Sequence, residues 1–145
     1  MELRMMSKEN KEKKKVRIIL YCAGAANVGR MTLEVAHRLA RDGAGRMSCL
    51  AGIGAQMESF INSARNAQET LVLDGCPTAC GRKIMEDSGI AVTHHFIMTE
   101  YGVQKSFKTD PRPEESEAIV QVIRSELPGM YAHVLPMAVP DEIVR

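Results

Sequence analysis

The chain has 145 residues, 45% of them hydrophobic and 26% charged, with a formal net charge of +1. That is enough material for one globular domain with a real core, and too little net charge for the domain as a whole to hold nucleic acid. No run nears the ~18 apolar residues of a membrane span, and residues 1–15 lack the apolar stretch of a secretory signal, so a cytoplasmic protein binding neither membrane nor nucleic acid is expected.

Met1–Lys15 carries six Lys or Arg against three acids, a net of +3, and reads as a solvated, disordered basic leader. Val16–Tyr21 (VRIILY) is apolar and β-branched, the pattern of a strand buried on both faces. Small residues at Cys22–Asn27 precede a helix from about Val28 to Arg41, with Met31, Val35 and Leu39 at helical spacing and a C-cap signal at Asp42–Gly45. Met47–Ala51 is a weaker strand candidate, and Gly52 and Gly54 precede a helix near Gln56–Ala67. Leu71–Leu73 is the third strand. Asp74-Gly75 turns the chain, and Pro77 reads as the first-turn proline of a helix running to Asp87. Ala91–Met98 is the fourth strand, Glu100–Lys108 a loop, and Pro113 with an acidic first turn opens a last helix with its apolar stripe at Ile119, Val120, Ile123 and Leu127. The tail from Pro128 to Arg145 holds Pro136 and Pro140 among apolar residues, a composition expected to pack on the body or on a second copy of the chain. Strand and helix alternate over residues 16–127, which predicts an α/β fold: a doubly wound, mostly parallel sheet of about four strands with helices on both faces.

All four cysteines fall where this alternation puts the carboxyl ends of strands. Cys22, Cys49 and Cys76 are spaced 27 residues apart, about one strand-plus-helix unit, and Cys80 follows Cys76 by four on the expected helix turn. Doubly wound sheets bind ligands on that edge. Four thiols there suit a zinc ion or an iron–sulfur cluster alike. With the first strand between the second and third, Cys22 is central and Cys76 and Cys80 lie to one side. Cys49 then stands ~10 Å from Cys76 on the other side, the ligand with furthest to reach. Without Cys49, three thiolates would leave the open position of a catalytic zinc.

The pattern Cys22-Ala-Gly, Cys49-Leu-Ala-Gly, Asp74-Gly75-Cys76-Pro-x-x-Cys80 and Thr99-Glu-x-Gly-x-x-Lys105 resembles the DGC domain family over about Val16 to Glu126. The resemblance implies a zinc ion chelated by Cys22, Cys49, Cys76 and Cys80 and no particular reaction; the placement of such a site on the sheet's carboxyl edge suits a protein that handles or senses metal. A thiol-based redox or thiol-transfer enzyme using Cys22, Cys76 and Cys80 is the main alternative, since helix N-termini and nearby Arg30, Arg82 and Lys83 would favour thiolates with or without metal. A weaker alternative takes Cys22–Arg30 as the oxyanion loop of a phosphatase-like or arsenate-reductase-like enzyme with Cys22 as nucleophile. Those enzymes have five residues between Cys and Arg, whereas seven stand here. Asp74 reads as a helix cap or turn residue. His94 and His95 read as structural residues away from the site.

Overall fold

The computed structural model describes residues 16–127, so the leader and the tail lie outside the described residues. The elements run β1 (Arg17–Tyr21), α1 (Asn27–Arg41), β2 (Arg46–Met47), α2 (Leu50–Gly54), α3 (Glu58–Arg65), β3 (Glu69–Asp74), α4 (Cys80–Asp87), β4 (His94–Ile97), a 3-10 turn (Met98–Tyr101) and α5 (Pro113–Glu126). The sheet is parallel throughout, in the order β2-β1-β3-β4. This is the expected α/β architecture, with the first strand between the second and third.

Side-chain alternation builds two cores from one sheet. Ile19 on β1 and Leu71 and Leu73 on β3 face Val28, Met31, Val35 and Leu39 of α1 and Ile119, Val120 and Ile123 of α5. Ile18 and Leu20 on β1 and Val72 on β3 face the opposite way, onto Leu50, Ile53, Ile61 and Met85 from α2, α3 and α4. Nearly continuous apolar runs in β1 and β3 follow directly, because both faces of these two central strands are covered. At the amino edge, Arg17 Nε donates to Glu69 Oε2 at 2.7 Å and Nη1 donates to the Ala44 carbonyl at 2.9 Å, tying β1 to β3 and to the loop before β2.

Two boundaries differ from the sequence reading. The second strand is only Arg46–Met47, and Leu50-Ala51 opens the short helix α2, which contains Gly52 and Gly54. Gly52 is there for packing: a Cβ on it would lie 2.5 Å from the Phe60 ring. The helix expected from Pro77 begins at Cys80. Residues 76–79 form a turn closed by Ala79 N–H donating to the Cys76 carbonyl at 3.1 Å, and Ala79 takes the left-handed conformation (φ 51°), which a helix interior does not permit.

Candidate functional site

β1 sends its connection to β2 on one side and the chain then returns across it to β3, so the strand order reverses between β1 and β3. Ligand sites of doubly wound sheets lie at the carboxyl ends of such a pair. Here those ends carry Cys22 and the Asp74-Gly75-Cys76 turn. Cys22 N–H continues the ladder to the Leu73 carbonyl at 3.0 Å, and the Gly75 N–H points at Cys22 Sγ at 3.4 Å. Thr32 stands on the other side of that sulfur, its Oγ1 3.8 Å from Cys22 Sγ, accepting the Ala23 N–H at 3.1 Å and donating to the Gly29 carbonyl at 2.6 Å. Ala23, next to Cys22, is left-handed (φ 48°) and costs about 1–2 kcal/mol relative to ordinary backbone.

Two glycines let these backbones touch. A Cβ on Gly29 would sit 2.7 Å from the Gly24 backbone, and one on Gly75 would sit 2.7 Å from Gly29 N and Val28 C. Gly29 and Gly75 thus bring two loops and the start of α1 within van der Waals contact. Gly29→Ala is therefore expected to destabilise by about 1–3 kcal/mol or more through backbone overpacking. Gly24→Ala, whose added Cβ would meet only Gly29 Cα at 3.9 Å, should cost far less. Urea midpoints of the two variants check this.

Asp74 ends β3 on the α4 face and is 1% exposed. Its Oδ1 accepts the Gly81 N–H at 2.7 Å and its Oδ2 accepts the Arg82 N–H at 3.1 Å, so it satisfies the first turn of α4, which carries Cys80. Gly81 makes this approach possible, since a Cβ there would stand 2.8 Å from Oδ1. The capping role expected of Asp74 is what the carboxylate does, but from the preceding strand rather than from the helix's own N-cap. His95 is the correction: it is paired with Val72 across the sheet, yet its Nε2 reaches Asp74 Oδ2 at 2.7 Å, adjoining the site.

Cys76 is partly buried against the α1–α5 core, and Lys105 Nζ donates to its Sγ at 3.6 Å. The Thr78 hydroxyl's hydrogen bond holds the Cys76 thiol below its ordinary pKa; burial pushes it up, and the Thr78 N–H and the Lys105 charge pull it down further. Lys105 comes from the loop after the 3-10 turn, and buried Asn27 grips that loop on either side of it. Asn27 Nδ2 donates to the Gln104 carbonyl at 2.9 Å, Ser106 N–H donates to Asn27 Oδ1 at 2.7 Å, and Asn27 N–H donates to the Ser106 carbonyl at 2.8 Å. Arg30, the guanidinium a phosphatase-like loop would turn toward Cys22, instead donates to Asp110 at 2.7 Å and to the Thr109 carbonyl at 2.7 Å.

Cys80 is exposed at the start of α4. Cys49 is exposed beyond β2 and before α2, in an open cleft of about 460 Å³ with Tyr21, Arg46, Ser59 and Phe60. The sheet thus brings Cys22 against the Gly75 N–H, one residue before Cys76, with Cys80 four residues on, while Cys49 belongs to the β2 side. Among the described residues, no three His, Cys, Asp or Glu side chains are placed to hold a metal ion.

The family model of the DGC domain matches residues 18–123. The chain belongs to the DGC domain family. This DGC domain is also 30% identical over 113 residues to the anaerobic and virulence modulator AnvM of Pseudomonas aeruginosa, a match covering 77% of this chain and 86% of that protein. No solved structure matches it significantly. No described helix of the DGC domain is long and apolar enough to cross a membrane.

Three residues of this DGC domain's site were not singled out as such from sequence. Thr32 and His95 carried no signal, since each reaches the site only through helix or strand packing. Lys105 did carry one, as the last residue of the Thr99-to-Lys105 pattern, but nothing in its spacing says that it meets a thiol 29 residues away.

Proposed function

We propose that this DGC domain works through thiol chemistry at the switch point, with Cys76 as the reactive thiolate and Cys22 and Cys80 as its exchange partners. The observation that supports this most directly is Lys105 Nζ donating to Cys76 Sγ at 3.6 Å, beside the turn whose Gly75 N–H points at Cys22 Sγ. A cationic donor on one partly exposed thiol is the surrounding of a reactive cysteine rather than of an inert core one. Oxidation would join two thiols as a disulfide, with two protons released and two electrons passed to a disulfide or peroxide oxidant. A thiol reductant would reverse it. The Pseudomonas relative is named an anaerobic and virulence modulator, which accords with a site whose state follows the redox surroundings.

Zinc binding by Cys22, Cys49, Cys76 and Cys80 is the second reading, favoured by the placement of every cysteine on one sheet edge. The chemistry zinc would supply is that of a soft Lewis acid held by thiolates, for which these donors are of the right kind. One experiment separates the readings: metal content per chain by plasma mass spectrometry, with accessible thiols counted on the same sample, purified without oxygen or chelator. The thiol reading expects substoichiometric metal, a fast-reacting Cys76, and a disulfide from Cys76 to Cys22 or Cys80 on mild oxidation, reversed by dithiothreitol. About one zinc per chain, with thiols protected until a chelator is added, would overturn it in favour of the metal site. Stoichiometric iron with a brown colour would point to a cluster instead.

A further inference from the structure

The loop that supplies Lys105 carries a second exposed feature beside the thiol. Phe107 is 72% exposed, the most exposed of the large hydrophobic side chains in the described residues. Lys105 Nζ lies 5.3 Å from the centre of its ring, on the cation–π side, as well as 3.6 Å from Cys76 Sγ. One ammonium therefore joins the thiol to an uncovered aromatic face. The stretch from Gly102 to Arg112 holds Lys105, Lys108 and Arg112 against Asp110; Arg30 pairs with Asp110 at 2.7 Å and Arg112 pairs with Glu115 at 2.7 Å, which leaves the charges of the two lysines. Asn27 holds the backbone at Gln104 and Ser106, so the ring and the charge are presented on an ordered support rather than on a loose strand. Preorganisation of this kind lowers the entropy cost of seating a ligand.

Resting on the thiol reading above, we propose that the Cys76 site takes small anionic disulfides with an aromatic or apolar part, the apolar part lying on Phe107 and the anionic group meeting Lys105. In the exchange, the Cys76 thiolate attacks one sulfur of the incoming disulfide. A new S–S bond forms to Cys76, the old S–S bond breaks, and the departing thiolate carries off its electron pair; the disulfide itself is the oxidant. The charge balance fits this order of events. While Cys76 is a thiolate, Lys105 pairs with it; once the mixed disulfide has formed, the ammonium is released to the anionic group of the bound half. A wholly cationic disulfide would find like charge at Lys105.

The test uses the full wild-type chain and three probes: 5,5′-dithiobis(2-nitrobenzoate), which is aromatic and anionic, 4,4′-dithiodipyridine, aromatic and neutral, and cystamine, aliphatic and cationic. Each rate of modification at Cys76, located by peptide mass mapping of early-quenched samples, is divided by that probe's rate with a neutral cysteine peptide. The proposal expects the anionic probe to be favoured about tenfold over the neutral one and more over cystamine, with the preference falling as salt is added. Lys105→Gln should erase the charge preference, Lys105→Arg should retain it, and Phe107→Ala should slow both aromatic probes several-fold while leaving cystamine unchanged. Equal normalised rates for all three probes, or a cationic preference, would overturn the substrate class while leaving Cys76 reactive. Failure of Cys76 to react faster than the peptide with any probe would instead overturn the thiol reading itself.

Discussion

Asp74→Ala is expected to cost about 3–5 kcal/mol, a large share of the stability of a domain this size. The carboxylate is 1% exposed and receives the Gly81 and Arg82 N–H groups as well as His95 Nε2. Truncation strands the buried Gly81 N–H at a desolvation cost of about 1–3 kcal/mol, and it also removes the acceptor of the part-buried Arg82 N–H and His95 imidazole. It also frees the first turn of α4, so Cys80 should become more rapidly alkylated. Asp74→Asn keeps one oxygen acceptor and nearly the same volume, so it should lose less and remain foldable. Urea unfolding followed by circular dichroism measures both. A loss of under about 1 kcal/mol for the alanine variant would show that water replaces the carboxylate and that the buried network is unimportant.

The second large effect concerns pH. Because the thiolate is the nucleophile, alkylation rate rises with pH through the thiol pKa, and a lowered pKa moves that rise to lower pH. Cys76, with Thr78 and Lys105 beside it, should alkylate with iodoacetamide at a midpoint below that of an ordinary cysteine. Each unit of lowering is about a tenfold gain in thiolate fraction on the alkaline limb's approach. Thr78→Val, which removes the leading hydrogen bond, should push the midpoint up most, and Lys105→Met should push it up by less. Cys76→Ser should abolish the fast phase altogether. Peptide-resolved alkylation across the pH range reads all three. A Cys76 midpoint no lower than that of a neutral cysteine peptide would defeat the prediction.

Much of this was legible in the chain itself. The apolar runs Val16–Tyr21 and Leu71–Leu73 determined two central strands because only strands covered on both faces can use such sequences. The alternation of these runs with helical stripes determined a parallel, doubly wound sheet, and therefore that Cys22, Cys49 and Cys76 all end strands on one edge. Pro113 with Glu114 and Glu115 marked the start of α5, because a proline N–H is not needed there and the helix dipole favours acids. Local signals of this kind depend on neighbours within a turn or two, so they survive without knowledge of the fold.

What the tertiary structure alone decided is which side chains meet. Pro77 read as a helix start, but a left-handed Ala79 delays the helix to Cys80. The reason lies in Asp74, whose carboxylate takes the Gly81 and Arg82 N–H groups and so fixes where the first helical turn must sit. His95 joined that carboxylate through strand register, and Lys105 reached Cys76 because Asn27, 78 residues before it in the chain, binds the loop around it. Contacts between residues so far apart leave no period or spacing behind them. The sequence by itself determined which sheet edge the thiols lie on; the packing of α1 against the loop beyond β4 decided which thiol has a cation beside it.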